Sequence, residues 1–399
     1  MSDSTSWASP GWTPDAGQSI PNPPPSPAAG WTPPPKPGLI PLRPLDFGTV
    51  FGASFQVLRR NPRPTFGAAL LLNALVVFLS TSVSTVILVS GLERASRASL
   101  ADATAITTGT IALSLVAALI TVAIALVAQA LLTGIISLEV SRATLGEKLT
   151  LRELFAAGHG RWKALIGWTM LLGAIVVAAI AALIGLSIGF FVAGDPLAIA
   201  GGVILLVVGT LGLLVVGAWI ATMLAFVPAA IVLERLSIAA ALRRSWQLVR
   251  GSFWRIFGIV LLLTVMVNVA VTIVTTPLQL VTTFATPLLN PAGELETDLT
   301  AFLALNIVVI GLTAVAGAIG AVLTTSAISL LYIDRRMRTE GLDLELQRFV
   351  ELRASGAPAV DPYRTTAPGA GGSAAGAAAG GSAGGAPVGG SAPAEPAAP

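Results

Sequence analysis

Cysteine is missing from all 399 positions, and histidine occurs once, as His159. The first absence excludes disulfides, zinc–thiolate sites, iron–sulfur clusters and thiol nucleophiles. The second excludes metal or relay chemistry that needs two imidazoles. Charge is also scarce: Asp, Glu, Lys and Arg make up 11% of the chain, against about a quarter in a soluble domain. Neither a phosphate loop of the form GxxxxGK[ST] nor a zinc-protease HExxH is present. His159 lies in Gly158-His159-Gly160-Arg161 without an acidic cluster beside it. The expectation is therefore a non-catalytic chain with no cofactor, no metal and no nucleic-acid partner. What is abundant is apolar, 54% of residues at a mean hydropathy of +0.83, the composition of a membrane protein.

Both ends depart from that composition. Residues 1–40 are rich in Pro, Ser and Gly without an apolar run, so they cannot recover the ordering entropy of folding, and they lack the pattern of a secretory signal. Gly11-Trp12-Thr13-Pro14 recurs as Gly30-Trp31-Thr32-Pro33; a flexible tail and a Pro-rich docking peptide are both compatible with this. Residues 356–399 are dominated by Gly, Ala, Ser and Pro and read as a second disordered tail. A membrane domain is expected over residues 41–355.

Within it, charge-free apolar stretches recur around residues 66–92, 107–138, 164–193, 197–232, 256–282 and 301–333. Each exceeds the ~20 residues that cross a ~30 Å hydrocarbon core. In lipid the backbone must satisfy its own amides and carbonyls, so these should be six transmembrane helices. Of the 23 Lys and Arg, 21 fall in the N-terminal segment, the second and fourth loops and the C-terminal segment; only Arg94 and Arg97 fall on the other side. The positive-inside rule then places both termini in the cytoplasm.

The six stretches form three units, at about residues 43–142, 149–235 and 237–338. Each opens with a short amphipathic segment and a basic junction. In the first, Phe47, Val50, Phe51, Phe55 and Leu58 share a helical face ahead of Arg59-Arg60-Asn61-Pro62. In the second, Thr150 and Glu153 have capping-box spacing ahead of Arg161-Trp162-Lys163. In the third, Ser237 can cap a helix with Ile238, Leu242, Trp246 and Val249 on one face and Arg243, Gln247 and Arg250 on another. Each unit closes on an acid ahead of arginine: Glu139 with Arg142, Glu234-Arg235 and Asp334-Arg335, the acids 95 and 100 residues apart. The fold class expected is all-α, a six-helix membrane bundle of three repeats, each a surface helix plus a transmembrane hairpin.

No Asp, Glu, Lys, Arg or His interrupts the interior of any stretch, which argues against proton-coupled transport. The polar residues that remain are Asn73, Gln129, Asn268 and Asn306, with hydroxyls at Ser80-Thr81-Ser82, Ser84 and Thr85. They serve either as interhelical hydrogen bonds or as a polar path. Gly185/Gly189 and Gly317/Ala321 have small-xxx-small spacing. Pro228 and Pro277 should bend or terminate their helices.

The stretch Pro228-Ala229-Ala230-Ile231-Val232-Leu233-Glu234-Arg235, followed by Ala240-Ala241-Leu242-Arg243-Arg244-Ser245-Trp246-Gln247-Leu248-Val249-Arg250-Gly251-Ser252-Phe253-Trp254-Arg255, resembles the membrane domain found beside bacterial glycerophosphodiester phosphodiesterases and in stand-alone relatives. The opening Arg43-Pro44-Leu45-Asp46-Phe47-Gly48 and the closing Leu331-Tyr332-Ile333-Asp334-Arg335-Arg336-Met337-Arg338 are similar to the stand-alone members. This resemblance implies fold and location. It does not carry over the phosphodiesterase activity, which in those proteins belongs to a separate soluble barrel.

Function, if it is local, is expected at the third junction. Arg243, Arg244, Arg250 and Arg255, with Trp246 and Trp254, place guanidinium and indole groups at headgroup depth, where they can contact an anionic lipid or simply anchor the helix. The leading expectation is a scaffold or lipid-interacting protein of the bacterial plasma membrane whose partners are the bilayer and a further membrane protein. The alternative is a facilitator or exporter of a small or amphipathic solute.

Overall fold

The structure, a computed structural model, describes residues 38–41, 43–289, 295–358 and 360–363. Among the described residues there is no strand. The helices are α1 (Phe47–Arg60), α2 (Ala68–Ser96), α3 (Leu100–Thr144), α4 (Leu151–Ala157), α5 (Trp162–Ala193), α6 (Pro196–Met223), α7 (Val227–Leu233), α8 (Ile238–Arg250), α9 (Phe253–Leu289), α10 (Leu295–Glu340) and α11 (Leu342–Ala354). Six segments are long and apolar enough to cross a membrane: Arg63–Ser96, Asp102–Thr144, Trp162–Ala193, Pro196–Leu233, Phe253–Val281 and Ile307–Glu340. They pair as α2/α3, α5/α6 and α9/α10, one hairpin per repeat, each preceded by its surface helix α1, α4 or α8. α3 and α10 are central: α10 packs on α1, α2 and α3, and α3 on α5 and α7.

Local chemistry accounts for most helix ends. Thr150 and Glu153 form the expected capping box on α4, and Ser237 accepts the amide of Ala240 to cap α8. Asp195 accepts the amides of Leu197 and Ala198 at the start of α6, with Pro196 in the first-turn position where a missing N–H costs nothing. Before α2, Pro62 and Pro64 remove two donors, and the chain takes a wide π turn over Arg63–Gly67 in which the Gly67 amide reaches the Pro62 carbonyl. Pro228 interrupts the fourth span between α6 and α7 as its chemistry requires. Pro277 does not terminate its helix: α9 continues through it to Leu289.

The protein core occupies only one end of the bundle. Among the described residues no buried hydrophobic side chain lies between Ala69 and Ala130, between Trp168 and Met223, or between Leu263 and Ala314. These gaps are the halves of the hairpins remote from the arginine-rich end. There Val192 and Leu197 are about four-fifths exposed, at 79% and 83%. Such an apolar surface would drive association in water but carries no solvation penalty in hydrocarbon.

The surface helices bury part of the stripe that hydrophobicity suggests: Val50, Phe51 and Leu58 of α1 and Ile238, Leu242 and Val249 of α8 pack on the core. α1 also buries Ala53, Ser54 and Val57, while Phe47 and Phe55, on either side of Phe51, are exposed. α8 buries Ala241, Ser245, Leu248 and Val249 and leaves Trp246 outward. Phe47, Phe55 and Trp246 thus lie away from the protein core. A similar correction applies to the glycines. A methyl group at Gly185 or Gly189 would meet nothing, so that pair makes no close helix contact.

The domain is longer at both ends than residues 41–355. Leu39 and Ile40 are buried, and the Leu39 amide donates to the Ala143 carbonyl at 2.9 Å. Any side chain at Gly38 would strike that same carbonyl, 2.1 Å from an added Cβ. After α11 the chain returns to the bundle: Asp361 pairs with Arg142 at 2.6 Å, and buried Tyr363 meets the Thr144 hydroxyl. Burial pushes the Tyr363 phenol above its ordinary range, against the opposing effect of the Thr144 bond. The remainder of the two expected tails, and the repeated Gly-Trp-Thr-Pro, lie outside the described residues.

Candidate functional site

The acids that close the three repeats are all buried, although the sequence places them in a loop-side basic collar. Glu139, Glu234 and Asp334 are exposed by 1%, 6% and 1%, and each is met by the entry side of a repeat. The Glu234 carboxylate accepts the Tyr332 hydroxyl and Arg244 Nε at 3.1 Å, with Arg336 Nε at 3.5 Å. Arg336 also reaches Glu340 at 3.0 Å, and Arg244 reaches it at 2.5 Å. Two carboxylates and two guanidiniums thus close a neutral box joining the end of α7, α8 and α10. Burial pulls the Arg244 guanidinium down, but the hydrogen bond to Glu340 and the charges of both acids outweigh it and hold the group above its ordinary value.

Asp334 clamps the start of the domain instead. It accepts the Leu45 amide at 2.7 Å and Arg338 at 2.9 Å, with Arg255 at 3.7 Å. Arg255 and Arg338 both donate to the Leu45 carbonyl, at 2.9 and 2.6 Å. Glu139 has the sparsest set, a 3.0 Å bond from Asn61, and its second oxygen is buried with no partner. Two further ties repeat between units: Arg235 donates to the carbonyl of Ala157 at the end of α4, and Arg335 to that of Leu248 near the end of α8. Arg235 takes a left-handed backbone to do so, φ 57°, uncommon for a residue with a Cβ.

The break in the fourth span is sutured by the neighbouring surface helix. Ser245 donates its hydroxyl to the Met223 carbonyl at 2.7 Å and accepts the Phe226 amide at 3.3 Å. One hydroxyl thereby satisfies two backbone groups that the interruption at Pro228 frees. No local sequence signal marks Ser245, since its partners lie about twenty positions away.

These contacts divide the six residues expected to meet lipid. Arg244 is committed to the ionic box and Arg255 to the Leu45 clamp. Arg243, Trp246, Arg250 and Trp254 face outward. Arg243, Trp246 and Arg250 share one face of α8 by their spacing, and Trp246 lies edge-on to Trp219 of α6, ring centres 5.7 Å apart. Trp219 also lines an apolar cleft of about 350 Å³ between α6 and α9, with Leu214, Phe253, Trp254 and Phe257. Through the Trp246–Trp219 contact, the outward face of α8 that carries Arg243 and Arg250 adjoins one wall of this aromatic groove. His159 is exposed in the turn between α4 and α5.

A family model described as a domain of unknown function, DUF7847, matches residues 45–332. The chain belongs to that family. Nothing among curated proteins and nothing among solved structures matches it. The DUF7847 region begins at the clamped Leu45, includes Glu139, Glu234, Arg244 and Ser245, and ends at Tyr332, just before Asp334 and Arg336.

The four amides expected inside the membrane separate. Asn73 and Asn268 each donate to the carbonyl one turn back in their own helices. Gln129 is bonded to Thr133 and lines two cavities, one with Asn73 between α2 and α3 and one between α3, α7 and α10. The side chain of Asn306 lies outside the described residues.

Proposed function

We propose that this DUF7847 chain is a non-catalytic, lipid-interacting scaffold of the bacterial plasma membrane, with its arginine-rich end and both termini in the cytoplasm. The observation that carries the reading is the outward face of α8, with Arg243 and Arg250, joined through the Trp246–Trp219 contact to the apolar cleft between α6 and α9. An anionic headgroup near that face gains about 1 kcal/mol per basic residue, and the cleft is apolar as an acyl chain requires. The buried acids support a structural role because intramolecular donors hold all three. The half-bundle that lacks a protein core adds large surfaces for lipid or a membrane-protein partner. The likeness to membrane domains accompanying glycerophosphodiester phosphodiesterases is read here as one of architecture.

Native mass spectrometry of the full chain from nanodiscs containing phosphatidylglycerol and phosphatidylethanolamine tests this. The double variant Arg243→Gln/Arg250→Gln should lose at least threefold of its bound phosphatidylglycerol and keep its phosphatidylethanolamine. Unchanged phosphatidylglycerol would refute the lipid reading. Reporter fusions placing either terminus outside would refute the orientation.

The cavity between α3, α7 and α10 favours a second reading, a facilitator of a small solute. Solute flux in proteoliposomes that depends on Gln129 would support it.

A further inference from the structure

The cavity between α3, α7 and α10 is lined by six polar side chains. Gln129, Thr133 and Ser137 of α3 face Thr324, Thr325 and Ser329 of α10 across a space of about 210 Å³, with Ala225, Pro228 and Ala229 as a third wall. Thr121, Thr169, Thr222 and Thr275 spend their hydroxyl on the carbonyl one turn back, at 2.8–2.9 Å, whereas others in the spans, such as Thr81 and Thr264, show no such bond among the described residues. Thr324 and Thr325 make no such bond among the described residues. Thr325 is only 6% exposed. Ser137 and Ser329 bond to each other at 3.0 Å, which uses one of their two protons.

Uncommitted hydroxyls in a protein interior require a partner, because each unmade bond costs about 1–3 kcal/mol. No charged side chain lines the space, so an ionic occupant would be uncompensated at that depth. Thr325 stands ten residues before Arg335 on α10, about 15 Å along the helix and hence near mid-membrane. Thr325, Ser329, Tyr332, Arg336 and Glu340 follow one another on a single face of α10, so the neutral ionic box lies farther along that face, toward the arginine-rich end.

We infer that this cavity is a binding site for a small uncharged molecule rich in hydroxyl or amide groups, held by Thr325, Ser329, Thr133 and Gln129. It holds about seven waters' volume at ~30 Å³ each, which sets the size of the occupant. A molecule bound there need not cross the membrane, so occupancy is independent of flux.

A chain without cysteine permits a direct test. Thr325→Cys, and Thr133→Cys as a second position should the first not fold, are placed in the full chain in liposomes and treated with neutral hydroxyethyl methanethiosulfonate, which needs a hydrated thiolate. Leu261→Cys on the exposed apolar face is the control. The cavity positions should react at least tenfold faster than the control. Erythritol or urea at 0.2 M should slow them at least threefold, and 0.2 M sodium phosphate should not. Reactivity equal to that of Leu261→Cys would mean a dry, lipid-filled space and overturn the inference. Rapid reaction that neither erythritol nor urea slows would reduce the site to water alone, and equal protection by phosphate would overturn the requirement for an uncharged ligand.

Discussion

Replacing Glu234 with Gln keeps the side chain's shape and removes one charge from a box that is otherwise neutral. Glu234 and Arg336 have side chains 1% and 4% exposed, so solvent cannot stand in for the missing charge. Arg244 and Arg336 would then share Glu340 alone, leaving one net positive charge inside the bundle end. Removing one partner of a buried pair costs about 3–5 kcal/mol, whereas replacing a whole pair with apolar groups of like volume is commonly neutral or stabilising. The Tyr332 hydroxyl would still have an amide oxygen to bond, so its contribution of about 1.5–3 kcal/mol for a charged acceptor falls without vanishing. Glu234→Gln should therefore destabilise by about 3–5 kcal/mol. Glu234→Gln/Arg336→Met, which restores neutrality, should recover most of that loss. The assay is reversible unfolding in mixed micelles, followed by tryptophan fluorescence, on both single variants and the double. A Glu234→Gln protein within about 1 kcal/mol of the parent, or additive losses in the double variant, would refute the reasoning that the box acts as one electrostatic unit.

Ser245→Ala should cost about 1–3 kcal/mol in the same assay, since two buried backbone groups at the α6–α7 break lose their partner; Ser245→Thr, which keeps the hydroxyl, should recover part of it. Gly38→Ala should release residues 38–41 from the Ala143 carbonyl and open a cleavage site there in limited proteolysis, while the melting of the spans changes little. The amide and hydroxyl of Thr150 hold the Glu153 carboxyl below the ordinary carboxylate range. Because the folded value is the lower one, the cap on α4 contributes at neutral pH and is lost as pH falls through that value. Carboxyl titration by NMR on selectively labelled protein should show the low value, and Thr150→Val, which keeps the amide and removes the hydroxyl, should raise it only part of the way.

Much of the fold was legible because a bilayer imposes a strong and simple rule. Long runs without charge must be helices, and arginine placement sorts their ends. The capping residues Thr150 and Ser237 and the interruption at Pro228 were readable for the same local reasons. The apolar faces of α1 and α8 were legible only in part. Phe55 and Val50 are both hydrophobic, and hydropathy cannot distinguish a side chain packed on protein from one turned away from it. The exit acids were visible as a repeated motif but not as a buried network, because their partners lie far along the chain: Leu45 meets Asp334, and Glu234 meets Tyr332 and Arg336.

The sequence alone determined that this chain lives in a membrane, crosses it six times and carries its positive charge at one end, since each follows from composition and from the period of single segments. The tertiary structure decided which arginines are spent on internal bonds and which face outward, where the core stops, and that Thr325 and Ser329 meet Gln129 across a polar space. Those outcomes depend on distances between helices, and no local stretch of residues encodes them.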